Sequence, residues 1–186
     1  RHPAQLRLAL EELVAHHLSL LRLRARQQST PAPALASDAG QRLQHRLLQS
    51  LPFSPTGAQQ RVMAEIAADL ARPVPMLRLV QGDVGSGKTL VAAHAALQAI
   101  ANGFQVALMA PTEILAEQHR LNFEAWFTPL GIGVEWLSGR VKGKAREAAT
   151  ARLASGEAAL AVGTHALFQE SVTFQRLGLV MVDEQH

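Results

Sequence analysis

The run Gly82-Asp83-Val84-Gly85-Ser86-Gly87-Lys88-Thr89 constrains this chain more than any other stretch. It follows an apolar segment, Met76-Leu77-Arg78-Leu79-Val80, and opens an amphipathic stretch from Lys88 to about Ala101. The pattern G-x-x-x-x-G-K-[ST] carries meaning only between a strand and a helix, and both flanks are present. Gly85 and Gly87 let the backbone curl so that successive N–H groups point inward, where side chains would obstruct an anion. The helix beginning there adds the positive end of its dipole. Lys88 is then placed for the β- and γ-phosphates of a nucleotide, and the Thr89 hydroxyl for a Mg²⁺ ion held with them. All eight residues from Gly82 to Thr89 are candidate nucleotide contacts.

The rest of the chain supplies the sheet such a loop needs. Helical spacing over 55–71, 88–101, 113–127 and 144–154 alternates with short apolar runs at 76–80, 105–109, 134–137, 159–162 and 177–182. Short apolar strands between amphipathic helices predict an α/β fold with an open parallel sheet covered by helices on both faces. Ahead of it, Leu6, Leu10, Leu13, Val14, Leu18 and Leu21 recur at helical spacing, and Pro31 and Pro33 interrupt the pattern. A short helix over about 41–49 follows. The expected division is a helical connector over 1–50 and a nucleotide-binding lobe over 51–186.

Composition excludes several classes. No stretch approaches the roughly 20 apolar residues that span a bilayer, and the amino-terminal residues lack a signal-peptide pattern. Cysteine is absent, so disulfides, thiolate catalysis and zinc-thiolate sites are ruled out. That composition fits a reducing cytoplasm. The net charge of +3 permits a nucleic-acid partner without requiring one. Lysine occurs only at Lys88, Lys142 and Lys144, so arginine carries most of the positive charge.

A second element narrows the chemistry. Leu179-Val180-Met181-Val182 ends in Asp183-Glu184, two carboxylates at the carboxyl edge of the sheet, where ligands of such folds bind. Asp183 is the candidate for the Mg²⁺ shell and Glu184 for orienting and activating the attacking water. A glutamate held for water points to hydrolysis of ATP rather than transfer to a hydroxyl.

With Asp183-Glu184-Gln185-His186 after the glycine loop, the chain resembles a superfamily 2 helicase of the DExH type. Phe53-Ser54-Pro55-Thr56-Gly57-Ala58-Gln59 resembles the upstream element in which a glutamine reads adenine, which assigns that role to Gln59. Ala110-Pro111-Thr112-Glu113-Ile114-Leu115-Ala116-Glu117-Gln118-His119 resembles motif Ia, and Gly163-Thr164-His165-Ala166-Leu167 resembles motif Ib. Within the group, Glu113 and Gln185 favour branched-DNA helicases. Transcription-repair coupling translocases would be expected to carry threonine after Pro-Thr and Asp-Glu-Glu-His.

The resemblance implies a RecA-like P-loop NTPase lobe, ATP and Mg²⁺ as cofactors, and bacterial, nucleoid-associated work on branched DNA such as fork regression and Holliday junction migration. It also implies a second lobe carrying an arginine finger and an amino-terminal wedge domain. This stretch without them is expected to turn over ATP weakly or not at all. A nucleotide-binding regulatory domain that does no mechanical work is the other reading; Glu184 and the two DNA-facing motifs argue against it.

Track contacts are expected at Pro111, Thr112 and Glu113, at Ser138, Gly139 and Arg140, and at Gly163, Thr164 and His165. Thr112 also reads as a plain helix N-cap. Arg140, Lys142 and Lys144 also read as a solvated helix start. By resemblance His186 links the nucleotide site to the DNA side. His94 and His119 read as packing or surface positions, Trp126 and Trp136 as core, and the adjacent pair His16-His17 diverges on a helix too far to share a metal.

Overall fold

The computed structural model describes residues 3–28, 30–83 and 85–183. Helix α1 (Pro3–Gln28) leads through an irregular stretch to α2 (Asp38–Ser50) and α3 (Gly57–Leu70). After the glycine loop come α4 (Lys88–Ala101), β1 (Gln105–Met109), α5 (Glu113–Phe127) and β2 (Val134–Leu137). Then follow α6 (Gly143–Ser155), β3 (Leu160–Gly163), a short 3-10 turn (His165–Phe168) and β4 (Leu177–Val182).

The four strands are all parallel, in the order β2-β3-β1-β4. Alternation along each strand divides its side chains between two packed layers. Val106, Leu108, Leu160 and Val162 face a core shared with α2, α3, α4 and α5, where Leu47, Leu97, Phe123 and Phe127 are fully buried. Ala161 and Leu137 face the opposite layer, closed by Ala149 and Leu153 of α6 and by Leu167. Helices therefore cover both faces, as the alternation of short strands and amphipathic helices predicts.

The helices start where the sequence supplies side-chain acceptors. Ser37 caps α2, Thr112 caps α5, and Thr56 with Gln59 forms a reciprocal capping box on α3. Glycine ends α6, where Gly156 takes the left-handed conformation.

Two expectations change. The apolar run Met76–Val80 keeps strand-like alternation, since Met76 and Val80 pack on the core while Leu77 and Leu79 face outward. It forms no ladder with a described strand and is not part of the sheet. A strand needs a neighbour for its backbone groups. Here the segment is instead fastened to α3 through Arg78, which meets Glu65 at 2.7 Å and Asp69 at 2.6 Å.

Second, packing runs across residue 50. Leu35 and Leu47 belong to the main core. The Gln98 amide donates to the carbonyls of Leu35 and Ala67, and Gln44 donates to the His94 carbonyl. Residues 31–50 are thus folded onto the lobe. No helix among the described residues is long and apolar enough to cross a membrane.

Candidate nucleotide and nucleic-acid site

The polar residues leave the sheet in a row along its carboxyl edge. Thr164 N–H donates to the Leu137 carbonyl (3.2 Å), Ala110 N–H to Gly163 (3.0 Å), and Asp183 N–H to Met109 (2.8 Å). The exits of β3, β1 and β4 are therefore each tied to the last residue of a neighbouring strand. Ser138, Thr164, the Ala110-Pro111-Thr112 turn and Asp183 follow one another in sheet order. Helix α4, which the glycine loop opens, packs on β1 and β4.

Within the loop, Gly85 and Gly87 adopt φ of 81° and 78°, left-handed conformations that favour glycine. The Lys88 ammonium folds back and donates to the carbonyls of Gly82 (2.7 Å) and Asp83 (2.9 Å). Gln59 reaches the loop from α3: its amide nitrogen donates to the Ser86 carbonyl at 2.8 Å while its oxygen accepts from Thr56 N–H. A side chain at Gly87 would collide with that amide.

This donor set fits a nucleotide phosphate. An ammonium lies inside a curled backbone, and Lys88 and Thr89 take the first two positions of α4, where backbone N–H groups have no intrahelical acceptor. Thr89, partly exposed, is in the first turn of α4 and can supply a hydroxyl to a cation. Val84, Glu184, Gln185 and His186 lie outside the described residues.

Asp183 has a partner that sequence reasoning passed over. His119 Nε2 lies 2.6 Å from Asp183 Oδ2, and Nδ1 of the same ring is buried without a hydrogen-bond partner among the described residues. The clue was positional: His119 lies seven residues after the N-cap Thr112, on the stripe with buried Ala116 and Phe123. His94, on α4, is pushed down to about 4 by burial and is neutral near pH 7.

The track candidates divide. Thr112 is exposed and caps α5, accepting Leu115 N–H at 3.3 Å, which leaves its own hydroxyl proton free to donate. Glu113 and Pro111 are partly exposed beside it, and Gly139 lies close to the Glu113 carboxylate. Arg140 and His165 are exposed, as are Lys142 and Lys144. Ser138 and Gly163 are buried. The Ser138 hydroxyl accepts Arg140 N–H at 3.2 Å and shapes the turn that presents Gly139 and Arg140. Thr164 is only 9% exposed, so little of its hydroxyl faces outward. Trp126 and Trp136 pack against the main core.

A parallel sheet with its polar residues at one edge, beside a glycine loop that opens a helix, defines a RecA-like P-loop NTPase lobe. The DEAD/DEAH box helicase model matches residues 56–186, and the chain belongs to that family. It is 64% identical over 187 residues to the ATP-dependent DNA helicase RecG of Escherichia coli O127:H6 (strain E2348/69 / EPEC), covering all of this chain and 27% of that protein. The RecG of Haemophilus influenzae is 58% identical, again over the whole chain and 27% of the relative. A solved structure of RecG bound to a three-way DNA junction superposes with a TM-score of 0.88 at 41% identity, over 98% of this chain and 25% of that one. The chain thus spans about a quarter of the length of these relatives.

Proposed function

We propose that this chain is the ATP-binding motor lobe of an ATP-dependent DNA helicase that acts on branched DNA. The observation that carries the reading is the row of strand exits tied at Thr164, Ala110 and Asp183, with the exposed Thr112 two residues past Ala110. Nucleotide chemistry and track contact then occupy one rigid edge. The likeness to RecG proteins, one of them solved on a three-way junction, supports branched DNA as the substrate.

In this reading Lys88 exchanges the Gly82 and Asp83 carbonyls for phosphate oxygens. The Thr89 hydroxyl and Asp183 carboxylate would hold Mg²⁺, which would supply charge neutralisation at the phosphates. Glu184 orients the attacking water and takes its proton. Gln59 holds the adenine. Thr112, Gly139, Arg140 and His165 contact the DNA backbone, a mode that positions without reading sequence.

Helix α6 adds support. It begins with no acid in its first turn and no side-chain cap, and carries Lys142 and Lys144 at that end. Cations there oppose the helix dipole, so they serve an external anion better than the helix. The second lobe and the junction-recognising wedge belong to the remaining length of the longer protein.

The test uses the full-length protein, with ATPase rates measured on forks, three-way junctions and plain duplex. Branched DNA should stimulate hydrolysis most, and Glu184→Gln should lower kcat by about 10²–10⁴. Equal rates with and without branched DNA, or wild-type hydrolysis by the variant, would sink the proposal.

A further inference from the structure

We infer that His119 is a positioning residue for Asp183, linking the DNA-facing end of α5 to the cation-holding carboxylate. The inference rests on the functional reading above and adds a part to it. Asp183 is fixed at two points. Its N–H is tied to the Met109 carbonyl at 2.8 Å, and its Oδ2 meets His119 Nε2 at 2.6 Å. In the tautomer that carries its proton on Nε2, the ring donates and the carboxylate oxygen accepts. Oδ1 has no partner among the described residues. The arrangement holds one oxygen and leaves the other available to a hydrated cation.

The placement of His119 is not that of an ordinary core residue. Thr112, Ala116, His119 and Phe123 follow one another at helical spacing, and Ala116 and Phe123 are fully buried. At the third position an imidazole with 13% side-chain exposure replaces the aliphatic group that packing alone would favour. The other ring nitrogen, Nδ1, is buried without a hydrogen-bond partner among the described residues. Burying an unpaired polar atom is costly, and its only observed return is the bond to Asp183.

The helix makes this a link between sites. α5 is a continuous 15-residue helix whose N-cap is Thr112. His119 lies two turns on, about 10 Å along the axis. A phosphate held at Thr112 sets the position of α5, and α5 sets the carboxylate through one short hydrogen bond. Outer-shell partners of this kind change metal affinity or activity by about 10–100-fold when removed.

The experiment uses the full-length protein carrying His119→Leu, which keeps bulk without a donor, and His119→Gln, whose amide N–H reaches a similar distance. Binding of a fluorescent ADP is titrated with Mg²⁺ and repeated in EDTA. His119→Leu should raise the half-saturating Mg²⁺ by about tenfold and leave binding in EDTA unchanged; His119→Gln should restore most of the loss. DNA stimulation of the ATPase should fall in His119→Leu and recover in His119→Gln. Thermal melts control for folding. If His119→Leu melts early, His119→Asn, whose amide is too short to reach Asp183, takes its place.

A wild-type Mg²⁺ titration and DNA stimulation in a folded donor-less variant would overturn the inference alone. So would a glutamine variant as defective as the leucine one. If the unmutated protein showed no DNA-stimulated ATPase, the functional reading would fall and this link with it.

Discussion

Gly163 ends β3 between the last residues of β1 and β2, paired with Met109 on one side and Leu137 on the other. A Cβ there would run into the Leu137 backbone carbonyl. That same carbonyl accepts Thr164 N–H, so the missing side chain is what lets the two strand exits join. Gly163→Ala should therefore cost about 1–3 kcal/mol, the range for overpacking, read as a lowered urea midpoint. An unchanged midpoint would mean that the strand ends are not tied as described. The motif around Gly163 was legible in the sequence, but its meaning at single residues was not. Gly163 and Ser138 sit in motifs read as contacts, and the structure adds that both are buried and that each shapes the backbone beside it. His119 was missed for the converse reason. Its partner lies 64 residues further on, and no local pattern announces a pairing at that separation.

Elements were more legible than residues, because periodicity and capping chemistry are local. α4 and α5 and the strands at 105–109, 134–137 and 177–182 fall where the sequence predicts them. Met76–Val80 shows the limit of that logic, since alternation specifies which side chains turn inward but not whether a neighbouring strand is there to pair. The connector is a similar case. Pro31 and Pro33 suggested a break, yet Leu35 and Leu47 enter the main core, and the amides of Gln44 and Gln98 satisfy carbonyls on both sides of the proposed boundary. If α2 is integral to the lobe, Leu47→Ala should lose about 2–5 kcal/mol, the usual cost of emptying a buried leucine site. Chemical denaturation of this chain measures it. A loss under about 1 kcal/mol, below that range, would show that α2 only rests on the surface.

At the scale of the molecule, the two outer strands of the sheet are not alike. β2 is four residues long, and Glu135 on it is held by Arg152 through two hydrogen bonds, which places charge on that edge. β4 is six residues long and outermost among the described strands, and it exposes Leu177, Val180 and Val182 with no charged residue in the strand. Unpaired backbone groups beside exposed apolar side chains invite pairing with another chain, and a lysine on such an edge is the usual deterrent. The 186-residue chain on its own should therefore self-associate with rising concentration. Sedimentation velocity across a concentration series should show the sedimentation coefficient climbing. Val180→Lys should hold it near the monomer value without lowering the urea midpoint, because Val180 lies outside the core. In the longer protein the same substitution has a different expectation. If further chain covers this edge, as the shape of an open RecA-like sheet invites, Val180→Lys should destabilise that protein while it improves the behaviour of the shorter one. Opposite signs in the two contexts would identify β4 as an internal strand of the longer sheet; the same sign in both would identify it as a true edge.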